Sequence, residues 1–209
     1  MHGTLVKKIS RLGANLCLHP KYIPRYAVQS VIGRKSPTEL ELPWFAYGAI
    51  DFLEEFLEPH MTVCEYGSGG STIFFAQRCK RVFSIEDNLQ WFNLISSRLH
   101  TKAIHNVTLE LCPFDFKNPA GFEHSEYLHA IPNEVMDVIV VDGTEESTPV
   151  RPICFAKAES RINKNGIIIV DDSWRYPEIR RCHAAKRYQT FKSVGPARFG
   201  VTSTDIFFY

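Results

Sequence analysis

From Thr62 to Asp171 the chain alternates short β-branched runs with segments of helix length, and few folds accommodate that rhythm. Strands separated by helices pair in parallel, with the helices packed on both faces of the sheet. Five strands are predicted: Thr62–Tyr66, Arg81–Glu86, Val107–Leu111, Met136–Asp142 and Gly166–Asp171. Residues 138–141 and 167–170 are unbroken apolar runs, as expected of central strands covered on both faces. Helices are expected near 71–79, 88–101, 119–130, 149–162 and 175–187. The close differs. Thr190–Val194 and Ser203–Tyr209 read as strands joined by a connection too short for a crossover helix, so they pair antiparallel.

Ahead of this pattern, residues 1–42 are expected to form a helical extension to a domain at 43–209. Leu5, Ile9, Leu12 and Leu16 recur at helical spacing and make one apolar face. That face is also the candidate surface for pairing two copies of the chain. Pro43 is expected to open a second helix reaching about Leu57, with Pro59 stopping it. Between them, residues 19–42 carry Pro20, Pro24, Gly33 and Pro37 and read as an irregular wrap.

Composition narrows the function classes. A hydrophobic share of 44% and a charged share of 22% describe an ordinary globular chain. Twenty-four basic and 23 acidic side chains leave a formal charge of +1, which weakens any case for a nucleic-acid partner. The short basic groups, Lys7-Lys8 and Arg180-Arg181 through Lys186-Arg187, read as solvated helix faces. Six cysteines lack CxxC spacing, and eight histidines lack HxH or HxxxH spacing. Zinc knuckles, thioredoxin-type redox motifs and histidine metal sites are therefore unsupported. With no long uncharged apolar stretch and no signal-like apolar core at the N-terminus, a cytoplasmic setting without a membrane span is expected.

The most informative stretch is Val63-Cys64-Glu65-Tyr66-Gly67-Ser68-Gly69-Gly70-Ser71-Thr72, where an apolar strand enters a glycine-rich turn and then a helix. Glycines there admit positive φ and let a ligand approach the backbone. Ligands of open α/β sheets bind beyond the carboxyl ends of the strands. A dinucleotide loop wants a small third residue, but Thr72 fills that place. Glu65, two residues before Gly67, would repel a diphosphate and favour a cationic ligand. Nineteen positions after Gly67, the second strand ends in Glu86, placed to accept ribose hydroxyls, with Asp87 as the alternative.

In these residues the chain resembles the class I S-adenosylmethionine-dependent methyltransferases, whose first motif is an acid followed by GxGxG or GxGxS. The resemblance spans about Pro43 to Tyr209. It implies a three-layer α/β/α Rossmann-like fold with strand order 3-2-1-4-5-7-6 and S-adenosylmethionine as cofactor. The cofactor-binding set it implies is Glu65, Gly67, Ser68, Gly69, Ser71, Thr72 and Glu86 or Asp87, with Phe114 and Asp115 at the adenine position.

Two further strand ends carry acids. Asp142 closes the fourth strand, and Asp171 and Asp172 close the fifth. Converging carboxylates repel unless a cation or hydrogen-bond donors compensate. The arrangement is similar to that of the metal-dependent catechol-type O-methyltransferases, which implies Mg2+ held by Asp142, Asp171 and Asp172. The chain departs from that pattern with Asp171-Asp172 in place of Asp-Asn, and with Gly143-Thr144-Glu145-Glu146 where a lysine is expected. The competing reading makes Asp142 a catalytic base or positioning acid. Arg151 is read either as a partner of a strand-end acid or as a clamp on an anionic substrate. Trp174, Arg175 and Tyr176 follow the fifth strand where substrate-facing loops lie, and Trp44 is placed to close the same pocket. His124 and His129 are weaker candidates for a general base.

The expected activity is methylation of a small-molecule acceptor, with oxygen favoured by the acid-rich cleft. Rival readings are a nicotinamide-dependent oxidoreductase, a cofactor-binding domain without catalysis, and an interaction scaffold.

Overall fold

The computed structural model describes residues 5–33, 35–144 and 150–209. Its centre is a seven-stranded sheet in the order β3-β2-β1-β4-β5-β7-β6. The strands are β1 (Thr62–Tyr66), β2 (Arg81–Glu86), β3 (Val107–Leu111), β4 (Met136–Val141), β5 (Ile162–Val170), β6 (Arg187–Val194) and β7 (Val201–Phe208). The first five are parallel, and β7 runs antiparallel to both β5 and β6. The expected strand order and terminal hairpin are both present.

Alternation along the strands builds two cores. Cys64, Tyr66, Ile139, Val141, Ile168, Val170 and Phe207 face one side, under α5 (Val150–Glu159). Val63, Val82, Val138, Val140, Ile167, Ile169 and Ile206 face the other. The main helices of that second face are α2 (Tyr47–Phe56) and α3 (Gly70–Ala76). Ile95 and Leu99 of α4 (Leu89–Thr101) pack with Ile73 of α3 toward the β3 edge.

The extension is more helical than expected. After α1 (Leu5–Leu18), short 3-10, α and wide helical turns occupy 20–32, and one further turn spans Pro37–Leu40. Leu12 and Leu16 rest on the second core, and the side-chain carbonyl of Asn15 accepts from the backbone N–H of Val194. Pro43 does not open α2. Phe45 and Ala46 are sealed in the core, and the Ala46 N–H donates to the Thr204 hydroxyl, so the chain stays extended until Tyr47.

Two expected helices give way to turns. At 119–130, Gly121 takes φ +79° and Ser125 caps a new turn, leaving only Phe122–His124 and Glu126–His129 helical. At 175–187, Pro177 follows a single 3-10 turn, Ser173–Arg175. By Lys186 the backbone N–H already bonds Phe208, so this segment must reach the sheet edge rather than coil. The basic pair Arg180-Arg181 is accordingly not on a helix, and Arg180 pairs with Asp205 of β7 at 2.5 Å.

Candidate functional site

The turn between β1 and α3 is set by backbone needs. Gly67 sits at φ +94°, and a Cβ there would lie 3.0 Å from the Asp142 carbonyl oxygen. A larger residue would therefore force β1 away from β4. At Gly69 the space is open: the atom nearest to a Cβ placed there would be Nε1 of Trp91, at 3.9 Å. Gly70 is closed again, because the carbonyls of Pro37 and Leu42 press against it from the extension.

Both expected strand-tip acids meet at this turn, in different ways. Glu65 is fully buried, and its two oxygens accept from the hydroxyls of Ser71 (2.7 Å), Ser84 (2.5 Å) and Thr72. Thr72 also accepts from the Gly69 N–H at 2.9 Å. The β-branched residue that breaks the dinucleotide pattern thus has a job: it links the carboxylate to the turn. Burial pushes the Glu65 carboxyl up to about 7, against the three hydroxyl bonds that favour its ionised form. Glu65 lies beneath the turn, tied to it through Ser71 and Thr72 and to β2 through Ser84.

Glu86 lies at the tip of the neighbouring strand, two residues past Ser84, the partner of Glu65 in the β1–β2 register. One oxygen accepts both the N–H and the hydroxyl of Ser68, at 3.0 and 2.6 Å, and the other accepts the Asn88 N–H at 2.9 Å. Burial raises its pKa, an effect that the Ser68 and Asn88 bonds oppose. Asp87 is bonded to the Thr144 hydroxyl beyond β4, so it bridges across the tip of β1. Phe114 stacks edgewise on Phe116 and Phe122. Asp115 is exposed and accepts the Lys117 N–H at 3.1 Å within its own turn.

Around β4 and β5 the carboxylates are met by arginines. Arg151 is buried and bonds the carbonyls of Gly143 and Asp171 at 2.7 Å each, with the Asp142 carboxylate at 3.2 Å. Of the two readings of Arg151, its contacts match a partner of the strand ends. Asp171 is sealed, accepting from Thr204 at 2.6 Å with Arg198 at 3.4 Å. Asp172, at the left-handed φ of +46°, accepts from Arg198 and Thr202, each at 2.6 Å. Among the described residues no group of three or more His, Cys, Asp or Glu is arranged to hold a metal ion. The donor set does not fit the magnesium site that the catechol-type resemblance implies, because two guanidinium groups already occupy the carboxylates. Glu145 and Glu146 lie outside the described residues.

The backbone is that of a known enzyme fold. A protein from Klebsiella pneumoniae assigned as an O-methyltransferase superimposes with a TM-score of 0.61 at 14% identity, covering 97% of this chain and 99% of its own. An rRNA methylase from Streptococcus thermophilus gives 0.58 at 17% identity over 77% and 94% of the two chains. A protein from Streptococcus mutans assigned as a methyltransferase, solved with S-adenosylhomocysteine, gives 0.57 at 14% over 84% and 99%. The chain has the class I methyltransferase fold. No family model matches the sequence, and no curated protein matches it in sequence.

Within this methyltransferase fold, three residues that sequence reasoning missed stand at the strand tips. Trp91, from the first turn of α4, donates its indole N–H to the Ser68 carbonyl at 2.5 Å and overhangs Gly69. The Tyr127 hydroxyl is buried with no hydrogen-bond partner among the described residues, and it lies where a Cβ on Gly143 would be, 2.1 Å away. Arg198, from the β6–β7 connection, lies 5.1 Å from the ring of Trp44 while pairing with Asp172. Asp172 also accepts from the indole of Trp174 at 3.4 Å, and Arg175 stacks on that indole at 4.8 Å. Trp44, Arg198, Asp172 and Trp174 are therefore contiguous, which no local spacing could reveal. His129 is bonded to the Glu123 carbonyl within its own loop, and His124 lines a hollow with Pro119 and Ile153.

Proposed function

We propose that this chain is an S-adenosylmethionine-dependent methyltransferase that acts on an oxygen of a small-molecule acceptor. The observation that carries the reading is the convergence of Glu65 and Glu86, from adjacent strand tips, on one glycine turn through Ser68, Ser71 and Thr72. The open side of Gly69 fits a ligand lying over that turn.

In this reading Gly67, Ser68 and Gly69 present backbone to the methionine portion, with the Glu65 charge beneath. The Glu86 oxygen that accepts only the Asn88 N–H has a lone pair left to receive a ribose hydroxyl, while the other already accepts twice from Ser68. Asp87 borders the same place, and Phe114 offers an aromatic edge to the base. Asp115 is held in its turn and is assigned no more than a peripheral part.

When bound, S-adenosylmethionine supplies a methyl group already activated by its sulfonium leaving group. The protein then has to position the acceptor and take its proton. Asp142 is the best placed acid: its side chain is 28% exposed, against 1% for Asp171 and 13% for Asp172. Arg151 holds it at the rim of the cleft. Asp142 accepts the hydroxyl proton of the acceptor as the oxygen becomes nucleophilic. Trp44 and Trp174, both about half exposed, suit the flat face of an aromatic or sugar acceptor. Residues 36–209, with 17 basic and 23 acidic side chains, support a small acceptor over a polyanion.

The reading is tested by following S-adenosylhomocysteine release from the purified chain with a panel of hydroxylated aromatic and sugar acceptors. Asp142→Asn is expected to lower kcat by roughly a hundredfold while leaving cofactor affinity unchanged. Tight cofactor binding with no turnover on any acceptor would leave a cofactor-binding protein without catalysis.

A further inference from the structure

Charge is distributed very unevenly along this chain. Residues 1–35 contain seven Lys and Arg and no Asp or Glu, while residues 36–209 contain 17 basic and 23 acidic side chains. The near-neutral total conceals a strongly basic N-terminal end on an acidic body. Lys21 and Arg25 are paired with Asp51. Lys7, Lys8 and Arg11 are exposed on α1 and make no ion pair among the described residues.

The same helix carries an apolar stripe that the fold uses only in part. Leu12 and Leu16 pack on the core, but Leu5 and Ile9, two turns and one turn before Leu12 on that stripe, are 65% and 53% exposed, and Val6 beside them is 74% exposed. From Leu18 at the end of α1 the exposed aliphatics continue with Ile23, Val28, Val31 and Ile32. Exposed aliphatic side chains among unpaired basic ones are the composition of a helix lying in a membrane interface.

We infer that the N-terminal segment docks this protein on an anionic lipid surface, with the aliphatic side chains entering the acyl boundary and Lys7, Lys8 and Arg11 at the headgroups. Charge decides between occupants. A second copy would bring another basic segment against the first, and like charges oppose that contact. Single-stranded RNA would use the basic groups but has no use for exposed aliphatics; it stacks on aromatic rings, and Tyr22 and Tyr26 of this segment are buried. An anionic bilayer uses both features, and it repels the acidic body, so the protein would approach by this end. No helix among the described residues is long and apolar enough to cross a membrane, so the contact is peripheral.

The experiment is co-sedimentation of the full chain with phosphatidylcholine vesicles, with and without phosphatidylserine as about a third of the lipid. Binding is expected only with phosphatidylserine, and is expected to fall sharply at roughly 0.5 M salt. The double variants Lys7→Glu/Lys8→Glu and Leu5→Asn/Ile9→Asn change exposed positions and should unfold at the wild-type temperature. Each is expected to lower the bound fraction by roughly tenfold or more. The inference is overturned by failure of the wild type to bind the anionic vesicles, or by binding that neither variant weakens. It is equally overturned if the wild type is a dimer in solution that Leu5→Asn/Ile9→Asn dissociates. Retention of a single-stranded RNA that only the lysine variant releases would also overturn it. None of these readouts depends on methyl transfer.

Discussion

Ser68 donates its backbone N–H and its hydroxyl to the same oxygen of Glu86, at 3.0 and 2.6 Å, tying the glycine turn after β1 to the tip of β2. The proposed cofactor site is therefore one mechanical unit. Ser68→Ala removes one of the two donors, and is expected to cost about 1 kcal/mol of stability in urea unfolding. Glu86→Ala removes the acceptor itself and should weaken S-adenosylhomocysteine by roughly tenfold or more. Wild-type affinity in Glu86→Ala would remove that residue from the site.

The two turn glycines should fail differently. Gly67 has φ +94° and a close carbonyl neighbour, so Gly67→Ala is expected to lower stability by about 1–3 kcal/mol. Gly69 has extended backbone at φ 168° and open space around its Cβ position. Gly69→Ala should hold stability to within about 1 kcal/mol yet weaken cofactor binding, because the methyl points where the ligand would approach. Calorimetric unfolding beside a binding titration separates the two, and a Gly69→Ala protein with unaltered affinity contradicts the placement.

Much of the frame was legible because it obeys short periods. The unbroken runs at 138–141 and 167–170 declared central strands, and the short link near Gly195-Pro196 declared an antiparallel finish. The failures lie where long-range contacts outrank local preference. Residues 175–187 carry a helix-compatible composition, yet Arg180 is drawn to Asp205, 25 positions away, and the backbone must reach the sheet edge. Arg198 went unnoticed for the same reason: its partners Asp171 and Asp172 lie across the β5–β7 pairing. Glu65 was recognisable as important, but its bonds to Ser71, Thr72 and Ser84, one of them on the neighbouring strand, were not. Trp91 and the Tyr127 hydroxyl belong to no motif and become visible only through the turn they cover.

Glu65 gives the site a pH dependence of defined sign. Its carboxyl is raised from an ordinary 4.5 to about 7 by burial. Between those values the folded state holds a proton that the unfolded state has released. The stabilising contribution is thus complete below 4.5 and is lost as pH rises through about 7, a difference on the order of 3 kcal/mol. Glu65→Gln should flatten that part of the stability profile. A cationic ligand favours the ionised form, so S-adenosylmethionine should bind more tightly as pH rises from about 6 to about 8. S-adenosylhomocysteine, without the sulfonium charge, should respond less. Equal pH responses from the two ligands would argue that Glu65 does not sense the cofactor.

Arg198 and Arg151 do the neutralising that a divalent ion would otherwise do. Arg198→Ala leaves Asp171 buried beside Asp142 and Asp172, and should destabilise the fold by about 3–5 kcal/mol, with Arg198→Lys restoring only part of it. Turnover, once an acceptor is found, should be unchanged by EDTA. Loss of activity in chelator with recovery on adding magnesium would show that these carboxylates bind metal after all.

Whether the turn between Glu65 and Glu86 receives an adenosyl sulfur ligand is decided by calorimetric titration of the unmodified chain with S-adenosylhomocysteine and, separately, with NAD. Saturable one-to-one binding of S-adenosylhomocysteine is expected, with no measurable heat from NAD. Binding of NAD with no response to S-adenosylhomocysteine would contradict the assignment.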